Sequence, residues 1–225
     1  MQLLSSIFSG SAGSFIMELL YRMPAILVAL AFHEWAHAYA AYRLGDPTAF
    51  NFGRMTLNPL AHIDPWGFVM LALFRFGWAK PVPVNTRNFK NPRRDEIIVG
   101  LAGVVTNLLL AFAAMGIFYG IAVTVGLRNA ALNTVIYYFY FINLSLCVFN
   151  LLPIPPLDGY RVFSSLLARK IGLKPFMFLE RYGFMILIVL LATGGLSRIM
   201  SVAVNWLMNG MISIYNGLFA LMGLI

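Results

Sequence analysis

Between Glu96 and Arg128 no side chain carries a charge, and the stretch from Glu96 to Val125 reads as one long apolar helix. A helix needs about 20 such residues to cross a bilayer, so this run alone commits the chain to a membrane. A second run, Ala131 to Leu152, follows a tight connection whose only charge is Arg128. Composition agrees: 60% of residues are hydrophobic and 11% charged, against roughly 25% charged in a soluble domain. No stretch of the 225 residues is polar enough for a separate soluble domain, so a single membrane-embedded domain over 1–225 is expected.

The net charge of +8 does not indicate a nucleic-acid partner. The 16 basic residues sit in short segments between apolar runs, as the positive-inside rule predicts for cytoplasmic loops. The single cysteine, Cys147, excludes an internal disulfide and reads as a small buried hydrophobe. No Lys or Arg precedes Arg22, so a secretory signal is not expected.

A first span is expected from Met23 to Leu44, with Pro24 at its start and Gly45 at its end. Residues 1–22, with Glu18 and Arg22 at helical spacing, either lie along the interface or extend it. The stretch from Asp46 to Pro65 is broken by Asp46-Pro47, Gly53, Asn58-Pro59 and Asp64-Pro65, with room for a short hairpin over 49–57. Trp66 to Trp78 is apolar but too short for a crossing and reads as re-entrant or interfacial. Beyond the proline-broken basic segment after Leu152, two apolar runs divide at Gly194-Gly195. The fold class is therefore an all-α polytopic membrane protein of about five or six transmembrane helices, with a re-entrant or β-hairpin segment after the first.

Inside the first span lies His33-Glu34-Trp35-Ala36-His37. Residues four apart share a helical face, so both imidazoles reach one metal ion, and Glu34 stands beside it to take a proton from water. This is the HExxH pattern of zinc hydrolases. Ionisable groups at membrane depth cost on the order of 2.5–3.5 kcal/mol each, and a divalent cation offsets that cost.

A catalytic zinc generally has three protein ligands and one open position. His62 and Asp64 lie within reach, but Asp158 ends an apolar helix where Pro153, Pro155 and Pro156 break regular structure. Asp158 meets the histidines only if the chain crosses an even number of times between them. The helices at 96–125 and 131–152 supply two crossings, so 66–78 must not cross. This arrangement also puts basic loops 79–95 and 159–174 on one side and Arg128 on the other. His62 is then expected to orient water or substrate without touching the metal.

These residues resemble the site-2 protease family of intramembrane zinc metalloproteases, in its compact form without PDZ or CBS domains. HEWAH at 33–37 is similar to the family's metal-binding helix, NLLPIPPLDG at 150–159 to its N-x-x-P-x-x-x-L-D-G element, and GVVTN at 103–107 to a looser G-x-x-x-N pattern. The resemblance covers about residues 20–175, an expected catalytic core, leaving 176–225 as C-terminal helices. It implies one zinc per chain held by His33, His37 and Asp158, Glu34 as general base, and Asn150 on the substrate backbone or oxyanion. Asn107 is expected to support the centre from outside its ligand set. It implies a lipid-embedded, multi-pass enzyme of a prokaryotic cell membrane, cutting the transmembrane helix of a membrane-protein substrate, with its active site nearer the cytoplasmic face.

Water must reach the site, since His37 lies roughly 10 Å below the helix end by helical rise. Asn51, Thr56, Asn58, His62 and Asp64 are candidates to line the channel, and the 49–57 hairpin offers an edge to an unwound substrate. The alternative function for the same His pair is metal transport or sensing. Oligomeric state is not legible.

Overall fold

The computed structural model describes residues 12–74 and 77–224. Eight α-helices are present among them: α1 (Ala12–Arg43), α2 (Thr48–Asn51), α3 (Pro65–Phe74), α4 (Pro92–Thr124), α5 (Ala130–Asn150), α6 (Asp158–Ile171), α7 (Lys174–Ala192) and α8 (Gly195–Leu221). Among the described residues, four helices are long and apolar enough to cross a membrane: α1 from Ile16, α4, α5 and α7. The expected all-α polytopic architecture is thus observed, with α8 long but less apolar.

The first helix continues upstream of Met23 to Ala12, the second of the two alternatives expected for residues 1–22, of which 1–11 lie outside the described residues. Pro24 lies inside α1 rather than at its first turn, although it lacks the N–H that would donate to the Leu20 carbonyl. Apolar residues Ile16, Met17, Leu19 and Leu20 continue the helix upstream, and Arg22 meets Glu18 at 3.4 Å one turn earlier. Downstream, α1 buries Ala25, Ala29, Ala38 and Ala41 almost completely. Such small side chains let helix axes approach closely, which is how helices associate where water exclusion gives no driving force between them.

α1 packs against α4 and α5, α6 lies against α4, and α8 lies against α4 and α5. An aromatic and aliphatic core joins Ala111, Met115, Tyr140, Leu144, Met211 and Tyr215 from α4, α5 and α8. The Tyr215 hydroxyl donates to the Phe112 carbonyl at 2.6 Å. Gly116 makes room for that ring, since a Cβ there would lie 2.6 Å from the hydroxyl.

The expected hairpin over 49–57 does not form. Residues 48–51 are the single turn α2, and no strand occurs among the described residues. Local chemistry decides this: Asp46 accepts the Thr48 N–H at 3.1 Å, and Arg54 N–H donates to the Ala49 carbonyl at 2.8 Å across Gly53, whose φ is +65°. Backbone groups satisfied within one turn do not seek a cross-strand partner.

The short segment after it behaves as a re-entrant piece. α3 has 10 residues, about 15 Å of helix against a hydrocarbon core of about 30 Å. Its flanks meet: Ile63 and Ala79 form an isolated antiparallel bridge, and Lys80 N–H donates to the His62 carbonyl at 2.8 Å. Flanks that meet in this way are the geometry expected of a segment that does not cross. Asp64 caps α3 by accepting the Gly67 N–H at 2.8 Å.

Candidate metal centre

α1 presents His33 and His37 one turn apart, both buried. Their Nε2 atoms are 3.0 Å apart, and each lies 3.1 Å from Asp158 Oδ2 at the first turn of α6. Two nitrogens and one oxygen thus converge on a point among α1, α4 and α6.

The outer ring nitrogens set the chemistry of the inner ones. His37 Nδ1–H donates to the Val99 carbonyl at 2.7 Å, and His33 Nδ1–H donates to Asn107 Oδ1 at 2.9 Å. A neutral imidazole protonated at Nδ1 carries a lone pair at Nε2. Two such lone pairs and a carboxylate oxygen therefore face one another in a buried space, an arrangement that repels itself without a cation. A tetrahedral zinc with bonds of about 2.0–2.1 Å separates its ligand atoms by about 3.3 Å, close to the spacing observed. The set of two imidazoles and a carboxylate suits zinc.

Glycines make the convergence possible. A Cβ at Gly103 of α4 would lie 2.5 Å from His37 Nε2 and 2.6 Å from His33 Cε1, filling the space between the rings. Asn107 stands one turn beyond Gly103 on the same face, which gives the G-x-x-x-N spacing a physical meaning. At Gly159 a Cβ would lie 2.2 Å from the Leu151 carbonyl oxygen, so only glycine lets the proline-broken loop 151–157 pass over the start of α6 and bring Asp158 inward.

Glu34 is buried, and its Oε2 accepts the backbone N–H of Val82 at 2.9 Å. Val82 lies in an extended segment between Pro81 and Pro83 and packs against Ala38 and Ala49. Sequence reasoning missed this contact. The one available signal is that both neighbours of Val82 lack an N–H, leaving a single donor in the triplet.

Other acidic groups are engaged elsewhere. Asp46, fully buried, accepts from Thr48, from Asn85 N–H at 2.7 Å and from Asn88 Nδ2 at 2.7 Å. Burial alone would raise its pKa, but these hydrogen bonds outweigh burial and hold the carboxyl below its usual range. Asp95 accepts the Asn91 N–H at 3.0 Å, and Glu96 accepts the Ser165 hydroxyl at 2.8 Å.

His62 is not beside the histidine pair's ligand atoms. It is buried, with Nε2–H donating to the Thr56 carbonyl at 2.8 Å. With Asp64 it lines a cavity of about 440 Å³ that reaches Leu30 of α1 and Phe149 of α5. Asn51, Thr56 and Asn58 do not line it. Asn150, the last residue of α5, donates from Nδ2 to the Leu146 carbonyl at 3.1 Å.

A His-Glu-x-x-His helix facing a buried aspartate, within a bundle of membrane-length helices, defines a membrane-embedded zinc metalloprotease. The model of peptidase family M50 matches residues 120–193. YwhC of Bacillus subtilis, provisionally named a zinc metalloprotease, is 42% identical over 182 residues, covering 77% of this chain and 80% of that protein. Rip2 of Mycolicibacterium smegmatis, named in the same terms, is 33% identical over 189 residues, covering 80% and 70%. Rip2 of Mycobacterium tuberculosis is 34% identical over 155 residues, covering 66% and 56%. The chain belongs to peptidase family M50, the site-2 protease family. No solved structure matches it.

Proposed function

We propose that His33, His37 and Asp158 hold the zinc of this intramembrane metalloprotease and that Glu34 is its general base. The observation that carries this reading is the convergence of three electron-rich atoms within 3.1 Å of one another in a buried site. When bound, zinc supplies a Lewis acid that makes water a nucleophile near neutral pH and polarises a peptide carbonyl.

The protein's own groups do the remaining work. Val99 O and Asn107 Oδ1 hold both imidazoles in the tautomer that offers Nε2 inward. Glu34, steadied at Oε2 by Val82, takes the proton of the attacking water and delivers it to the leaving amine. Asn150 retains a second Nδ2–H beyond its bond to Leu146 for a substrate carbonyl. The substrate is the transmembrane helix of a membrane protein, locally unwound, and the cavity reaching Leu30 and Phe149 receives its apolar side chains.

We read the catalytic core over about 20–175 and the C-terminal helices as one unit in a prokaryotic cell membrane, supported by the packing of α8 on α4 and α5. The basic loops at 79–95 and 159–174 support placing the active site nearer the cytoplasmic face.

Metal analysis and cleavage of a reconstituted transmembrane substrate test the site. Glu34→Gln is expected to keep zinc and lose cleavage, and Asp158→Ala to lose both. Full zinc occupancy and activity in Asp158→Ala would remove Asp158 from the ligand set.

A further inference from the structure

We infer that Asp46 is a positioning residue for Glu34, acting through the extended segment 79–85; this rests on reading Glu34 as the base. That segment is a strap tied through three of its backbone N–H groups, with Arg54 also donating to the Lys80 carbonyl at 2.7 Å. Lys80 N–H donates to the His62 carbonyl, Val82 N–H to Glu34 Oε2, and Asn85 N–H to Asp46 Oδ2. Pro81 and Pro83 stiffen the span between the first and last ties and contribute no donors. Val82 is thus suspended between two anchors, and its N–H is aimed at the base by both.

One anchor shares a ruler with the base. Asp46 N–H donates to the Ala41 carbonyl at 2.9 Å, so Asp46 is fixed to the end of the helix that carries Glu34. The separation of Glu34 on α1 from Asp46, just past the end of that helix, then sets where Val82 and Asn85 must lie. The two carboxylate oxygens of Asp46 have different tasks. Oδ1 takes Thr48 N–H, the Thr48 hydroxyl and Asn88 Nδ2, closing the turn after α1. Oδ2 takes only Asn85 N–H and holds the strap.

This division yields a selective variant. In Asp46→Asn the amide keeps its oxygen toward the three donors at Oδ1, since the opposite orientation breaks three bonds instead of one. Its NH₂ then faces the Asn85 N–H, donor against donor, and the strap's far anchor is lost. Displacing a proton-transfer group by about 1 Å costs up to about 100-fold in rate.

The test measures kcat, KM and bound zinc for the full-length protein in proteoliposomes, together with amide exchange at Val82. Asp46→Asn is expected to lower kcat about 10-fold or more, leave KM and zinc content at wild-type values, and speed exchange of the Val82 N–H. Thr48→Ala, which weakens only the Oδ1 side, is expected to leave all four unchanged. Wild-type kcat in Asp46→Asn overturns the proposal, as does a loss accompanied by lost zinc and shared by Thr48→Ala, which marks a purely structural role. Replacing the 84–85 peptide bond by an ester, with the α-hydroxy analogue of asparagine at 85, deletes the same N–H donor while keeping the Asn85 side chain that caps the next turn, and must reproduce the kcat loss if Asp46→Asn does not fold. Glu34→Gln run in parallel separates the two readings. Wild-type cleavage there removes the base assignment, while the exchange rate of Val82 still reports whether Asp46 holds the strap.

Discussion

Single atoms decide the centre. Gly103 is the position where one added carbon has the largest expected effect, because a Cβ there falls between the two imidazoles. Gly103→Ala is expected to reduce bound zinc from one per chain to near zero, by elemental analysis, and to abolish cleavage with it. On the proposed assignment, Asn107 supports the centre from outside the ligand set, through the His33 Nδ1–H. Removing such a support typically lowers metal affinity about 10–100-fold, so Asn107→Leu is expected to release zinc to a competing chelator at correspondingly lower chelator concentration. The two variants differ in kind: the first fills the space among the ligands, while the second leaves it and frees a ring to turn.

Among the elements, the turn after α1 couples stability to pH. Asp46 is held below the usual carboxylate range by Thr48, Asn85 and Asn88, against the effect of burial. A carboxyl with a lower pKa folded than unfolded stabilises the fold fully above the unfolded value, and loses that contribution as pH falls toward the folded one. The difference in thermal midpoint between wild type and Asp46→Asn is therefore expected to be constant above about pH 5 and to narrow below about pH 4, by scanning fluorimetry in detergent. This turn also shows where sequence reading stopped. The HExxH face, the two long helices and the shortness of the helix after the first span were legible because periodicity and length are properties of the residue string. The absence of a hairpin at 49–57 was not, since it depends on which donors Asp46 captures. Likewise, the contact on Glu34 is made by a backbone N–H, which leaves no mark in side-chain identity beyond the prolines around it. Pro24 misled for a related reason: a proline is favoured at a helix start, yet apolar residues on both sides kept the helix continuous through it.

At the scale of the molecule, parity of crossings has a direct readout. Cys147 is the single cysteine and is buried, so Cys147→Ala supplies a background for labelling. Cysteines placed at Asn58 and Lys90, on either side of the re-entrant segment, are expected to react with an impermeant maleimide from the same face of sealed vesicles. One placed at Arg128, between α4 and α5, is expected to react from the opposite face. Labelling of positions 58 and 90 from different faces would make 64–78 a crossing and break the agreement between topology and the position of Asp158. The segment's closed base, Ile63 against Ala79, is the structural reason for the expected result.

The partners of the centre are also far apart in the chain: 121 residues separate His37 from Asp158. During synthesis the histidine helix enters the bilayer long before the aspartate exists, and α4 and α5 must be inserted and folded back before the third atom arrives. On the proposed ligand set, a metal ion until then meets the two histidines and Glu34 without the aspartate. If Asp158 is the third ligand as proposed, completion of the protein's topology and acquisition of its activity are thereby the same event.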